Sequence, residues 1–425
     1  MNHLQTLSLF AKTDPHAAYA AFTYGFIHKW KYVQRTVPDI AILFQPIEDC
    51  IRNEFIPALV GRAVSDNERL LFSLPTKLGG LNIPNPVRLC SKEFEWSQKL
   101  TLTLTEKIKI QSLIEEDSPE QIKERHNQVL RQTKAEKNAI HQNLLDSVLE
   151  NVNDELKRSI DLASEKGASI WLNTLPIRNL GYSLNKQEFH DAIALRYNFK
   201  IQGMASHCAC GSKNSLDHAL ICRLGGYTIM RHNEVRDVEA DLLKEVCRDV
   251  QIEPALIPLS GQLFPASTNH QDMARLDVSA RGLWAPMEKA FFDVRIFHPN
   301  AISNRSKSLP QLYQSHEMEK KRVYNQRIIE VEFATFTPLV FSTSGGESPE
   351  CLKFHRRLAS LLSVRRGESY AETITYIRRK VRFCILRTTL IAIRGYRRPK
   401  QQVAVPTKPL NEVDISVSEA AHRRR

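Results

Sequence analysis

Nowhere in the 425 residues do two aspartates stand side by side. A polymerase that holds its metals on an adjacent Asp-Asp pair, as in a Tyr-x-Asp-Asp turn, is therefore excluded for this chain. No run of about 18 apolar residues occurs, so no membrane-spanning helix is expected. The N-terminal stretch MNHLQTLSLFAKTDPHAAYAAF lacks a basic segment leading into a clean apolar core, which argues against a secretory leader. Cysteine is sparse: eight in a chain of this length do not make a disulfide framework. Cys50, Cys90, Cys247, Cys351 and Cys384 lie scattered in apolar segments and read as buried thiols. Acidic charge is missing mainly from one end. From Lys353 onward 18 Lys/Arg face 5 Asp/Glu, a balance of +13 against +12 for the whole, so everything before Lys353 sums to −1. A near-neutral body with a basic tail suits a polyanion: DNA, RNA or an anionic membrane surface.

What is present is ordinary in bulk. Apolar content of 42% and charged content of 25% fit a globular protein, and the length allows two to four domains. The stretch 274–346 stands out. Two short apolar runs, 275–278 and 291–297, each set one aspartate among hydrophobic neighbours, and Gly282 and Pro286 between them predict a turn. A carboxylate in a strand of Phe, Val and Ile is costly to desolvate unless a positive charge meets it. A shared Mg2+ would meet both Asp277 and Asp293, since magnesium takes a few carboxylates, water and a substrate phosphate. The residues equally allow a second reading, in which the aspartates cap turns or pair with Arg275 and Arg295.

Asp277 followed by Asp293-Val294-Arg295 resembles a variant of the PD-(D/E)XK signature of restriction-enzyme-like nucleases. More closely, the block resembles the endonuclease domain at the C-terminus of one class of non-LTR retrotransposon polyproteins. That class carries a Lys-rich helix ending in Tyr after the second acid, which Glu319-Lys320-Lys321-Arg322-Val323-Tyr324 matches. Leu276 stands where the motif has Pro, and Arg295 where it has Lys. The second change matters more, because Arg keeps its proton near neutral pH. Arg295 can stabilise a pentavalent phosphate but cannot be the general base. Lys320 or Lys321 would supply the amine, or the metal alone would acidify the water. Lys320 and Tyr324 are four apart, so a helix can aim both at the metal site.

A second cluster, His207-Cys208-Ala209-Cys210-Gly211 through Asp217-His218 to Cys222, has zinc-ligand character. Gly211 closes a turn after Cys208 and Cys210, and a helix begun near Ser215 puts His218 and Cys222 on one face. Those four ligands suit a closed, structural tetrahedral Zn2+. His207 and His232 are possible substitute ligands. The flanking segments extend the resemblance. LPTKLGGLNIPNP resembles the segment that follows the polymerase core of retrotransposon reverse transcriptases, in the thumb and just beyond. WLNTLP with EFHDAIALRY resembles the segment before a zinc knuckle, and Arg231-His232 matches an Arg-His pair in the helix that opens the endonuclease domain.

The expected fold class is α+β and multidomain: a helical N-terminal half, a small zinc knuckle, a mixed α/β restriction-endonuclease-like core and a basic helical tail. Its parts are a thumb-like helical region, 1–97; a helical linker, 98–168, in which Ser118-Pro119 starts a helix; a helix capped by Ser183 or Asn185 plus the knuckle, 169–225; the endonuclease core, 226–352; the tail, 353–400; and a disordered end, 401–425. Within the core, a helix over 231–250 and strands over 328–334 and 338–343 are expected. In the tail, Arg356, Arg357, Arg365, Arg366, Arg378, Arg379, Lys380, Arg394, Arg397 and Arg398 interleave with apolar residues. That pattern predicts helices buried on one side whose basic side, with Arg231, tracks a phosphate backbone. The resemblance implies the C-terminal part of a longer reading frame, intracellular and nuclear, whose partners are DNA, the element's RNA and an upstream polymerase region, with no membrane. It implies nicking of target DNA to prime reverse transcription. The Arg295 change favours a rival, a catalytically decayed, zinc-supported nucleic-acid-binding protein.

Overall fold

A computed structural model describes residues 2–109, 111, 118–261 and 263–397. The chain is α+β, with one small mixed sheet of four strands among the described residues. It forms two compact units, Met1–Glu165 with Leu172–Lys200, and Lys166–Trp171 with Ile201–Arg425. Arg398 and the end 401–425, expected to bind phosphate and to be disordered respectively, lie outside the described residues. Among the described residues no helix is long and apolar enough to cross a membrane.

The first unit is built of α1 (Asn2–Ala11), α2 (Pro15–Ala21), α3 (Ile27–Thr36), α4 (Gln45–Cys50), α5 (Ile56–Val60), α6 (Asp66–Ser73), α7 (Cys90–Lys109), α8 (Pro119–Glu150), α9 (Asp154–Ser164) and α10 (Lys186–Tyr197). Local chemistry sets the starts: Ser118 caps α8 ahead of Pro119, and Asn185 rather than Ser183 caps α10 in a capping box with Glu188. The described part of the segment expected to be a helical linker is largely helical and packs into this unit. α7 runs through the 97/98 boundary, and Leu144, Leu145 and Val148 of α8 with Ile160 of α9 are buried.

The glycine-proline stretch 79–86 is the piece the surrounding helices grip. Tyr197 donates to the Gly79 carbonyl at 2.8 Å, Tyr19 to that of Leu81 at 2.9 Å, and Arg196 to that of Gly80 at 3.1 Å. The buried Arg69 guanidinium pairs with Glu48 at 2.6 Å and donates to the Ile83 carbonyl at 2.8 Å. Gly79 has a positive φ of 81°, and a Cβ on Gly80 would sit 2.0 Å from the Leu74 carbonyl oxygen. We expect Gly80→Ala to cost about 3 kcal/mol or more by overpacking, read as a drop in melting temperature; an unchanged melting curve would contradict this packing.

The second unit comprises α11 (Leu216–Ile221), α12 (Tyr227–Lys244), β1 (Arg248–Ile252), β2 (Val278–Arg281), β3 (Lys289–Phe297), α13 (Leu309–Val331), β4 (Thr335–Ser342), α14 (Pro349–Arg366) and α15 (Tyr370–Arg394). The sheet order is β1-β2-β3-β4. The first two pairings are antiparallel, and β4 joins β3 in parallel after the crossover through α13. Three expectations are corrected. The helix ends at Lys244 and Arg248–Ile252 is a strand; 328–331 finishes α13; and the first acid-bearing strand starts at Val278, leaving Asp277 just ahead of it.

Period-two alternation along β3 sorts its side chains onto two faces. Ala290, Phe292 and Val294 enter a core with α12, α14 and α15, to which Phe354, Leu358, Leu362, Ile377 and Val381 contribute. Each such side chain, fully buried, adds roughly 1.5–3 kcal/mol. The basic tail is therefore no appendage but a wall of this core, and the expected boundary at 352/353 falls inside α14. On the opposite face Phe291 packs with Ile328 and Phe336, while Phe297 packs with Leu312, Tyr313 and Val340. Between those two apolar clusters the same face presents Asp293.

Candidate functional site

Asp293 is 5% exposed, and Lys320 Nζ of α13 reaches its Oδ2 at 2.6 Å. The β2–β3 register pairs Val278 with Phe292, so one step further along the ladder brings Asp277 opposite Asp293. The Asp277 carboxylate accepts from the Val294 N–H at 2.6 Å. His232 of α12 places its Nε2 3.1 Å from Asp277 Oδ2 and also 3.1 Å from the Val294 carbonyl oxygen. Two strands and two helices thus converge on one polar gap in an apolar layer.

Electrostatics in the gap are unbalanced. Burial pushes the Asp293 carboxyl up, Lys320 pulls it down and the negative charge of Asp277 pushes it up again, leaving it at about 6. For His232, burial disfavours the charged ring, but the hydrogen bond and charge of Asp277 outweigh it and hold the imidazole above its usual value. The aspartates therefore meet Lys320 and His232, not Arg275 or Arg295. Arg275 instead lies 4.0 Å from Glu253. Arg295, two residues beyond Asp293 on the same face, is exposed.

Of the two candidate lysines, only Lys320 faces the acids. Lys321 pairs with Glu350 at 3.1 Å. Tyr324, one turn past Lys320, packs tilted against Phe336 with ring centroids 5.8 Å apart, and the Lys320 ammonium lies 5.8 Å from the Tyr324 ring. Sequence reasoning placed His232 on the helix that opens this domain through the Arg231-His232 match, but gave it no role beside the acids and offered it to the other cluster as a substitute ligand.

The cysteine cluster is assembled as the spacing predicts. Ser215 caps α11, Gly211 takes a positive φ of 89°, and one ligand atom from each of Cys208, Cys210, His218 and Cys222 lies within 4.8 Å of all the others. Cys208 and Cys222 sulfurs are 3.8 Å apart, far beyond a disulfide bond, and Cys210 Sγ is 3.3 Å from His218 Nε2. Hydrogen bonds from Ser212 hold the Cys210 thiol down to about 6, whereas burial pushes Cys222 up. The four can hold one tetrahedral ion. His207, bonded to Ser206 at 3.2 Å, and His232 are outside the set.

Most of the arginines expected at a phosphate backbone are spent inside the fold. Arg231 is 3% exposed, donates to the Leu220 carbonyl at 3.0 Å, and is lowered by burial to about 10. Arg397 donates to the Ala219 carbonyl at 2.9 Å, so the two cations satisfy open carbonyls at the C-terminal end of α11. Arg357 donates to the Leu283 carbonyl, Arg394 to that of Gln202, Arg366 pairs with Glu245 and Arg378 faces Glu347. Arg356, Arg365 and Arg394 are exposed, with Arg379 and Lys380 half-buried.

A third group went unseen because its members are neutral or ordinary in sequence. His355, 0% exposed, bonds Glu347 through Nδ1 at 2.6 Å and Glu239 through Nε2 at 2.9 Å. Glu347 also meets Arg382 at 3.0 Å, and Cys351 lies beside it. With His355, Arg378 and Arg382 facing Glu347 and Glu239, charge is already matched. Their i, i+4, i+8 spacing at 347, 351 and 355 was the only sequence signal. Set against protein-family models and against curated protein sequences, the chain finds no match.

Proposed function

We propose that the second unit is a metal-dependent DNA endonuclease of the restriction-enzyme-like kind found in non-LTR retrotransposon proteins, braced by a zinc knuckle. The observation that carries this reading is the pair Asp277, just ahead of β2, and Asp293, on β3, the second pushed up by burial and further by the charge of the first. Such a pair favours a cation between its members. The residues fit magnesium: Asp277, Asp293 and the Val294 carbonyl offer hard oxygens, and Lys320 and His232 now supply the positive charge there. When bound, the ion would acidify a water for attack on phosphorus. Asp277 and Asp293 would hold it, Lys320 would stabilise negative charge developing on the phosphate, and Arg295 would sit on the same strand face. Arg356 and Arg365 remain to track the DNA backbone.

Supercoiled plasmid with Mg2+ or Mn2+ tests the reading. Open-circular product is expected; intact plasmid with both cations sinks it and leaves the rival, a zinc-supported nucleic-acid-binding protein. Arg295, a permanent cation where the motif has Lys, is the feature that favours the rival. The two lysines separate further. Lys320→Ala should slow nicking by roughly tenfold to a hundredfold, the scale of one lost charge-assisted contact of about 1.5–3 kcal/mol. Lys321→Ala should cut at the parent rate, and equal loss in both would assign the effect to the helix rather than to the contact.

Zinc at the knuckle is supported by geometry. A tetrahedral ion with Zn–S of about 2.3 Å puts its sulfurs about 3.8 Å apart, and Cys208 and Cys222 stand 3.8 Å apart. Metal analysis should find one zinc per chain, and Cys222→Ser should release it with a fall in melting temperature. Full zinc content in that variant would contradict the ligand set.

A further inference from the structure

The first unit carries two adjoining cavities, of about 280 and 240 Å³, that share Ser73, Pro84, Asn85, Leu89 and His141 as walls. Together they reach the size of pockets that take small ligands, roughly 300–1,000 Å³. The charge of their lining is the unusual feature. Lys31 and Lys137 line the first cavity and Arg88 the second. Glu93, 4% exposed, is the carboxylate of the lining, and it is already matched twice, by Arg35 at 3.2 Å and by Lys137 at 3.2 Å. Among the described residues nothing hydrogen-bonds or ion-pairs with the side chains of Lys31, Arg88 or His141.

A half-buried ammonium whose acidic neighbour in the lining, Glu93, is already shared by Arg35 and Lys137 is costly, and a second cation nearby makes it more so. Burial and the charge of Lys137 push Lys31 down by more than Glu93 lifts it, and burial with the charges of Lys137 and Lys77 pushes His141 down as well. The group that would relieve both is an anion entering the cleft. Ile27, Trp30, Leu89, Ile140 and Leu144 make the remaining walls apolar, so the ligand carries a flat or hydrophobic part beside its charge. We infer that this cleft binds a phosphate group borne by a nucleotide, either free or as a unit of a single-stranded nucleic acid, with Lys31 and Arg88 as its anion contacts. Lys137 stays with Glu93.

The inference is independent of the nuclease reading: Asp293→Ala should bind the probes below as the parent does. Three probes are titrated into the full chain: inorganic pyrophosphate, adenosine monophosphate, and a labelled single-stranded 12-nucleotide DNA. Binding of at least one is expected, weakened by about tenfold or more in Lys31→Glu and in Arg88→Glu, as loss of one charge-assisted contact requires. Lys31→Arg should retain it. Matching melting temperatures confirm that the exposed-side variant Arg88→Glu is folded. Binding of the mononucleotide assigns a free ligand. A response of the oligonucleotide alone, with a shallower salt dependence in the variants, assigns a strand. Parent protein that binds none of the three, or variants that bind all of them as tightly as the parent, overturns the proposal.

Discussion

Asp293→Ala should lower Mg2+-dependent nicking by roughly a thousandfold or more, the scale of several kcal/mol lost from transition-state stabilisation, while affinity for DNA stays at the parent level. The same substitution should leave thermal stability unchanged or raise it. Burying that carboxylate among Phe291, Phe297 and Ile328 is unfavourable, which is why it sits at about 6 rather than in the usual carboxylate range. Activity lost with stability kept is what a site held at the expense of the fold predicts. The sign of the pH effect follows. In the metal-free site Asp293 takes up a proton below about 6, and that proton competes with the cation, so nicking should fall on acidification and extra Mg2+ should move the fall to lower pH. Plasmid cut as fast by Asp293→Ala as by the parent removes the acid pair from the chemistry.

Glu347→Ala is the substitution expected to damage folding most. It strips His355, Arg378 and Arg382 of their shared carboxylate inside the core, and breaking a buried pair from one side costs about 3–5 kcal/mol. Desolvation opposes the Glu347 charge, but Arg382 and His355 outweigh it and hold the carboxyl well below its ordinary range. Its contribution is present above the unfolded value of about 4.3 and is lost on acidification. His355 is held well above its ordinary value by Cys351, Glu239 and Glu347 against the penalty of burial. Its contribution is complete below about 6.5 and fades as pH rises through the raised value. The gap in melting temperature between variant and parent should therefore be widest between about pH 4.3 and 6.5. A gap that does not vary from pH 3 to pH 9 would show that the network is not ionised as drawn.

What could be read beforehand was local. The caps at Ser118, Asn185 and Ser215, the turn at Gly211, and the Cys208–Cys222 grouping depend on neighbours within about 15 residues, and the structure brings them together as spacing suggests. Asp277 and Asp293 were found because acids are rare among Phe and Val, although the β1 strand at 248–252 was hidden behind a helical-looking sequence. The tail misled for a physical reason. Charge counts cannot tell an arginine facing solvent from one donating to a carbonyl or carboxylate many residues away, as Arg231, Arg357 and Arg397 do. His232 was placed with the wrong cluster because its partners, Asp277 and Val294, lie 45 and 62 residues further on and are brought to it only by the sheet.

The contact between Arg397 and the Ala219 carbonyl spans 178 residues and has a consequence for biosynthesis. On the ribosome, the short helix bearing His218 emerges long before the guanidinium that completes it. Until Arg397 has been added the helix has only Arg231 at that terminus, so the element that presents His218 is completed only after the whole of α15 has emerged. A premature stop codon just ahead of position 397 would leave every cysteine of the cluster in place and still loosen the element that presents them.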